Sequence, residues 1–115
     1  MIRENIQIVR SSGPRNGTSI LHLRGSLNIH TIFEFQNAVR SESGPAVIID
    51  LAGVPFIDSA GLGALVGAYI ASQRANRKVA FAAMNSQVKT LIEMTKVSQL
   101  FPMFASIQEA EAAVS

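Results

Sequence analysis

The sequence predicts an α/β fold built on a mixed sheet, and three observations lead to this prediction. The β-branched run at residues 47–49 is typical of a strand that is buried on both faces. From Leu62 onward, apolar residues recur at the spacing of one helix face. Strand and helix patterns then alternate along the chain, which favours parallel strands joined by helical crossovers.

The composition is typical of one compact domain. A chain of 115 residues can bury a single sizeable core, so we expect residues 1–115 to form one domain. Apolar residues make up 48% of the chain and charged residues 16%, a balance that argues against disorder. The sequence contains no cysteine, which excludes disulfides, thiolate catalysis and zinc–thiolate sites and fits a reducing compartment.

Hydropathy along the chain predicts a soluble protein. No apolar run approaches the roughly 20 residues that span a bilayer. The chain begins with acidic and amide side chains where a signal peptide would carry its apolar core. We therefore expect a cytoplasmic protein with no membrane insertion.

The charge pattern argues against a nucleic-acid partner. Ten basic and eight acidic residues leave a net charge of only +2. The local basic cluster of Arg74, Arg77 and Lys78 falls at the predicted end of the central helix, where cations complement the helix dipole. Nucleic-acid binding needs a longer basic face with interleaved aromatic side chains, so we expect none.

The first part of the chain predicts a β-hairpin. Residues 6–10 alternate between apolar and polar, as in a half-buried strand. Residues 11–17 contain Gly, Pro, Asn and Ser, a composition typical of a hairpin loop. Residues 18–24 form a second predicted strand, which we expect to run antiparallel to the first.

Two helices are predicted on either side of the central strand. Thr31 and Glu34 have the spacing of a capping box, which predicts a helix that continues to about Arg40. After the central strand, a Gly/Pro loop leads to Asp58 and Ser59. Both residue types are favoured at helix N-caps, so we expect one of them to cap the central helix.

The last third of the chain predicts two more strands and two more helices. Residues 79–84 form an apolar strand, and Ser86 is the predicted N-cap of the short helix that follows. Residues 100–104 are apolar but contain Pro102, which restricts them to a short edge strand or an irregular connection. Residues 106–109 repeat the capping-box pattern and predict a final helix.

Two segments come close to catalytic or cofactor motifs without completing them. Residues 57–61 lack the first glycine of the G-x-S-x-G nucleophile elbow, and both histidines, His22 and His30, precede the serine instead of following it. Residues 61–67 have their third glycine one position too late for a dinucleotide fingerprint. We predict no catalytic residue, no metal site and no cofactor, and we expect each histidine to have a structural or solvated role.

Ser59 has two interpretations that are compatible with each other. The first is that Ser59 is the N-cap of the central helix. The second is that Ser59 is phosphorylated in trans by another protein. A phosphate is tolerated at a helix N-terminus, where the helix dipole favours negative charge. Beside Asp58, the added charge would repel an acidic partner surface, so phosphorylation would switch binding with little effect on the fold.

The central helix carries a face of small side chains. Glycine costs roughly 1 kcal/mol in a helix interior relative to alanine, so two glycines there indicate close backbone approach. The approaching backbone belongs either to the sheet of the same domain or to a docked partner. The residues of this face are Ala60, Gly63, Ala64, Gly67, Ala68 and Ala71.

The sequence resembles the STAS domain family, and more narrowly the bacterial anti-sigma factor antagonists. The resemblance centres on the Asp-Ser-Ala-Gly-Leu-Gly string of residues 58–63, which follows the strand at 47–51. It extends through residues 25–31, which occupy the place of the family's G-x-L-D-x-x-T segment, and through the later strand and short helix at 79–84 and 88–92. It therefore covers nearly the whole chain.

The resemblance implies a STAS fold, with a mixed sheet of four to five strands and helices mainly on one side. It also implies a non-enzymatic role in partner switching. An unmodified antagonist binds an anti-sigma factor and frees the sigma factor. The anti-sigma factor is often a serine kinase that phosphorylates the antagonist, and a metal-dependent serine phosphatase reverses the modification. By motif position, the phosphoacceptor would be Ser59, and no cofactor would be needed. The partner-binding residues would be Asn28, Thr31, Asp58, Ser59, Ala60, Gly61, Leu62 and Gly63.

The sequence departs from the antagonist pattern, and two alternatives stay open. Many antagonists have an acid in place of Asn28, and the slight excess of basic residues is also unusual. One alternative is a STAS subunit of a larger assembly, such as a stressosome or a lipid-transport complex, in which Ser59 serves only as a cap. The other is a small module that senses a nucleotide or an anion at the helix N-terminus.

Overall fold

The computed structural model describes residues 5–13 and 17–114, which form a five-stranded mixed sheet and four α-helices. The strands are β1 (Gln7–Ser12), β2 (Thr18–Arg24), β3 (Ala46–Gly53), β4 (Lys78–Ala82) and β5 (Met103–Phe104). The helices are α1 (Ile32–Arg40), α2 (Ser59–Arg74), α3 (Ser86–Glu93) and α4 (Ile107–Val114), and a short 3-10 helix, Lys96–Gln99, lies between α3 and β5.

The strands follow one another across the sheet in chain order. β1 is antiparallel to β2, and every later neighbour in the sheet is parallel, because a helix connects each of those strands to the next. The predicted mixed sheet is therefore confirmed, with five strands. Within residues 5–13 and 17–114, no helix is both long enough and apolar enough to cross a bilayer.

The larger half of the core lies on the face of the sheet that α1, α2 and α3 cover. Alternate residues of β2, β3 and β4 point to this face because side chains alternate along a strand. Phe35 of α1, Leu65 of α2 and Ile92 of α3 are completely buried against them. The strand residues that contribute to this face are Leu21, Leu23, Val47, Ile49, Leu51, Val79 and Phe81.

The opposite face of the sheet is covered by α4. Ala80 and Ala82 of β4 have small side chains, and Ala110 and Val114 of α4 pack in the same apolar cluster. Three helices lie on one face and one on the other, as the family resemblance implies. Met103–Phe104 forms the edge strand predicted for the segment that contains Pro102.

Several element ends differ from the prediction. β1 continues to Ser12, because Ser11 and Ser12 pair with β2. The hairpin loop therefore begins after Ser12 and not at residue 11 as predicted. Residues 14–16 of the predicted loop lie outside the described residues. β4 ends at Ala82, because Ala83 adopts a positive φ of 63° that a strand does not allow.

The predicted caps of α1, α3 and α4 have different outcomes. The N-cap of α3 is Asn85, whose Oδ1 accepts from the Val88 amide over 2.8 Å, and not Ser86. Thr31 occupies the N-cap position of α1 as predicted, but its hydroxyl makes no capping hydrogen bond. Ser106 does cap α4, since its Oγ accepts from the Glu109 amide over 3.2 Å.

Candidate functional site

Two loops meet at the carboxyl ends of β2 and β3. The Leu27 amide donates to the Phe56 carbonyl over 3.1 Å, and the Asp58 amide donates to the Leu27 carbonyl over 3.3 Å. Leu27 and Ile57 thereby form an isolated parallel bridge, and both side chains are buried. These bonds hold the loop before α1 against the loop before α2.

Asp58 joins the first turn of α2 to the neighbouring loop. Its Oδ1 accepts from the Gly61 amide over 2.8 Å, and its Oδ2 accepts from the Ile29 amide over 3.2 Å. Asp58 is therefore the N-cap of α2, and Ser59 is the first residue of the helix. This result resolves the choice between the two capping candidates in favour of Asp58.

The Ser59 side chain is directed away from the core. The residue is exposed, and within the described part of the chain its hydroxyl makes no hydrogen bond. Because Asp58 caps the helix, the Ser59 hydroxyl is not needed for capping. It stands at the positive end of the helix dipole of α2, open to solvent and to a partner.

Asn28 and Thr31 are buried within the loop before α1. The Thr31 hydroxyl donates to the Ser26 carbonyl over 2.8 Å and accepts from the Asn28 amide over 3.0 Å. Asn28 Oδ1 accepts from the His30 amide over 2.9 Å. Both side chains thus fix the loop that presents Ile29, while they are themselves covered by it.

The glycines at the start of α2 have opposite surroundings. A Cβ on Gly61 would overlap the Leu27 carbonyl oxygen, so only glycine allows α2 to approach the neighbouring loop this closely. A Cβ on Gly63 or Gly67 would meet no atom within 4 Å. Of the two alternatives, close approach of Gly63 and Gly67 to the sheet of the same domain is therefore wrong within the described chain, and approach by a docked partner stays a prediction.

The other small and apolar residues of this helix divide between the core and the surface. Ala64 and Ala68 are buried against the sheet side of the domain, whereas Ala71 is exposed. Ala60 is half-buried, and Leu62 is half-buried against the main core. Part of the small-residue face therefore packs in the core, and the rest lies on the outer surface of α2.

Asn85 supports the loop before α2 from the other side. Its Nδ2 donates to the carbonyls of Val54 and Pro55, each over 3.2 Å, while its Oδ1 caps α3. The loop that leads to Ser59 is thus attached both to the loop before α1 and to the N-cap of α3. The sequence analysis missed this role, although an Asn directly before a helix pattern is itself a capping signal.

Three large apolar side chains near the two loops are exposed to solvent. Ile29 is 58% exposed and Phe56 57% exposed, and each belongs to one of the loops that the Leu27 bonds hold together. Phe33 belongs to the first turn of α1, shortly after Ile29 in the chain, and is 70% exposed. The sequence analysis did not single them out, although apolar residues in a loop beside a predicted site indicate an interaction surface.

The family model of the STAS domain matches residues 5–110. The chain belongs to the STAS domain family. Within this family it is similar to an anti-sigma F factor antagonist of Paenibacillus polymyxa, with 25% identity over 92 residues that cover 76% of this chain and 79% of the relative.

Solved STAS structures have the same fold. An anti-sigma factor antagonist of Mycobacterium paratuberculosis superposes with a TM-score of 0.81 and 24% identity, covering 95% of this chain and 93% of its own. The unphosphorylated form of the anti-sigma factor antagonist SpoIIAA superposes with a TM-score of 0.73 and 17% identity, covering 94% of this chain and 96% of its own.

Proposed function

We propose that the chain is an anti-sigma factor antagonist whose binding to an anti-sigma factor with serine kinase activity is switched by phosphorylation of Ser59. The similarity to the Paenibacillus polymyxa antagonist supports the general role. Unmodified, the chain binds the anti-sigma factor in the cytoplasm and frees a sigma factor. A metal-dependent serine phosphatase returns the phosphorylated form to the binding form.

The exposed hydroxyl of Ser59 is the observation that carries this proposal. Asp58 already supplies the cap of α2, so a kinase can modify Ser59 without removing a hydrogen bond of the fold. The protein nevertheless holds the serine at a fixed position, the first residue of a 16-residue helix. A rigidly held, accessible hydroxyl is a suitable substrate for a docked kinase.

The surface around Ser59 has the composition of a protein interface. Ile29, Phe33 and Phe56 offer exposed apolar side chains on the segments that adjoin Asp58. A few side chains that become buried and well packed at the centre of an interface contribute most of its binding free energy. The uncovered backbone at Gly63 allows a partner to approach α2 closely.

Phosphorylation of Ser59 would act on this interface through charge. The phosphate carries close to two negative charges and stands next to the Asp58 carboxylate. A partner that had packed apolar groups around Ser59 would have to desolvate these charges. The partner is therefore released, while the helix dipole of α2 accommodates the phosphate in the antagonist itself.

Residues 28 and 31 act indirectly in this scheme. The hydrogen bonds of Asn28 and Thr31 order the loop that presents Ile29. Gly61 allows the first turn of α2 to lie close to that loop, Leu62 packs against the core, and Ala60 is half-buried in the same turn. We propose that these residues shape the docking surface, whereas Ser59 and Gly63 contact the partner.

Phosphorylation with purified components tests the proposal. The chain is incubated with Mg-ATP and each anti-sigma factor kinase of its source organism, and the products are examined by intact mass and peptide mapping. We expect phosphate on Ser59 from one kinase and none on Ser59→Ala. Ser59→Ala is expected to bind that kinase constitutively, and Ser59→Asp is expected to bind it weakly.

Peptide mapping of the protein from its native cells, before and after phosphatase treatment, provides the second test. A phosphatase-sensitive phosphate on Ser59 supports the proposal. If Ser59→Ala and Ser59→Asp both bound the kinase like the parent chain, the switch would be excluded. A Ser59 that stays unmodified under all growth conditions would favour a role as a STAS subunit of a larger assembly.

A further inference from the structure

A second serine belongs to a hydrogen-bonded cluster that lies away from Ser59. Ser11 Oγ is 2.8 Å from His22 Nε2, and His22 Nδ1 is 2.7 Å from Asp50 Oδ2. The three residues come from β1, β2 and β3, three neighbouring strands of the sheet. A serine, a histidine and an aspartate are therefore joined in the order of a nucleophile, a base and a group that orients the base.

The register of the sheet brings these three side chains together. His22 is directly opposite Asp50 in the parallel pair of β2 and β3. Ser11 is opposite Ile20, two residues before His22, so that it lies diagonally across from the histidine. Because Ile20 packs in the cluster that α4 covers, the alternation along β2 places His22 on that same face of the sheet.

All three residues of the cluster are partly exposed, and the Asp50 side chain is less exposed than that of His22. Among the described residues, α4 packs mainly against β3, β4 and β5, whereas β1 is the edge strand farthest from it in the sheet. The His22 side chain is 30% exposed and that of Asp50 is 13% exposed, while Ser11 is half-buried on the edge strand β1. A reagent from solvent can therefore reach Ser11, while Asp50 is held below the surface.

Asp50 determines which nitrogen of neutral His22 carries the proton. An ionised carboxylate only accepts hydrogen bonds, so the proton must be on Nδ1, next to Asp50 Oδ2. Asp50 is held in place in turn, because its Oδ1 accepts from the Ala52 amide over 3.0 Å. His22 Nε2 is left as an acceptor for the Ser11 hydroxyl, which is the tautomer that a general base needs.

We propose that Ser11 is a reactive serine that accepts the acyl group of activated esters. Ser11 Oγ forms a bond to the carbonyl carbon of the ester, and its proton passes to His22 Nε2. The bond from that carbon to the leaving oxygen then breaks, and the leaving group takes the proton from His22. The products are an O-acyl serine and the free alcohol or phenol.

Acylation by p-nitrophenyl acetate tests this proposal on the intact chain. The rate of p-nitrophenol release is measured, and the acetyl group is located by peptide mapping. A hydroxylamine-labile acetyl ester on Ser11 is the expected product. Ser11→Ala is expected to lose this ester, and Ser12→Ala, at the adjacent position with its side chain on the other face of the sheet, is expected to keep it at an unchanged rate.

The role of His22 is tested separately from that of Ser11. General-base assistance contributes roughly 10²–10⁴-fold to such a step, so His22→Ala is expected to slow acylation of Ser11 by about 10²-fold or more. Added imidazole is expected to restore part of the rate at which the acetyl ester forms on Ser11, and this rate is measured by peptide mapping because imidazole by itself also releases p-nitrophenol from the reagent. His22→Gln is a second variant, and circular dichroism establishes that both variants fold.

Three results would overturn the proposal. The first is acetylation of the parent chain confined to amines, with no ester on Ser11. The second is acylation of Ser11 at the parent rate in folded His22→Ala or His22→Gln. The third is a failure of imidazole to accelerate acylation of His22→Ala.

Discussion

The backbone amide of Ile29 donates a hydrogen bond to Asp58 Oδ2 over 3.2 Å, and this bond attaches the loop before α1 to the first turn of α2. The other carboxylate oxygen, Oδ1, accepts from the Gly61 amide. One side chain therefore caps the helix and fixes the neighbouring loop. The position of Ser59 depends on both bonds.

The first prediction concerns this double role. Asp58→Ala removes the cap and the link to Ile29, so we expect the free energy of unfolding to fall by about 1–2 kcal/mol. Asp58→Asn keeps an acceptor for the Gly61 amide and is expected to lose less. Urea denaturation of the two variants measures the difference. Equal losses would contradict the assigned geometry.

The second prediction compares two glycines that are two positions apart. Gly61→Ala places a Cβ against the Leu27 carbonyl, and we expect a loss of about 1–3 kcal/mol in the free energy of unfolding. Gly63→Ala places its Cβ in open space within a helix, and we expect a gain of about 0.5–1 kcal/mol. Thermal and urea unfolding measure both changes, and changes of the same sign would contradict the close contact between Gly61 and the Leu27 carbonyl.

The third prediction compares how much two basic residues near the end of α2 contribute to the stability of the fold. Arg77 Nε donates to the Gly44 carbonyl over 2.7 Å, and its guanidinium also donates to the Glu42 carbonyl over 2.6 Å. We expect Arg77→Ala to cost about 1.5–3 kcal/mol of stability, because hydrogen bonds from a charged donor are lost. Arg74→Ala is the control, and it is expected to change stability by less than about 0.5 kcal/mol. Similar effects in urea unfolding would contradict this distinction.

The fourth prediction separates folding from binding at Ser59. Ser59→Asp places a negative charge at the first position of α2, where the helix dipole favours it. We expect the free energy of unfolding to stay within about 0.5 kcal/mol of the parent value. Weak kinase binding by this variant would then be a surface effect. A large loss of stability in calorimetry would remove that interpretation.

The fifth prediction concerns the apolar surface. Phe33 is exposed beside the loop of Ile29, so we expect Phe33→Ala to weaken kinase binding about tenfold without loss of stability. Leu100 is similarly exposed but belongs to the segment before β5. Leu100→Ala is therefore the control, and titration calorimetry against the kinase is the measurement. Equal effects of the two changes would exclude a special role for Phe33.

Local patterns in the sequence were sufficient to predict the strands and helices of the fold. The β-branched run of β3 and the helical spacing after Leu62 depend on neighbours in the chain, and both predicted elements are present. The edge position of the segment with Pro102 followed from a missing amide donor. These features can be predicted because their physical cause lies within a few residues.

Long-range contacts explain what could not be predicted. Gly61 and Gly63 look alike in the sequence, but only Gly61 meets the carbonyl of Leu27 from a distant loop. The hydrogen bonds of His22 to Ser11 and Asp50 arise from strand register, which no local pattern specifies. Such contacts become visible only when the strands and helices are placed together.

The bridge between Leu27 and Ile57 has a consequence for hydrogen exchange. The Leu27 amide relies on the Phe56 carbonyl, and the Asp58 amide relies on the Leu27 carbonyl. Neither loop can open to solvent without freeing an amide of the other, so we expect these amides to exchange with deuterium in one cooperative opening. A modification of Ser59 that loosens α2 would then also be detected at Leu27, in the isolated protein and without any partner.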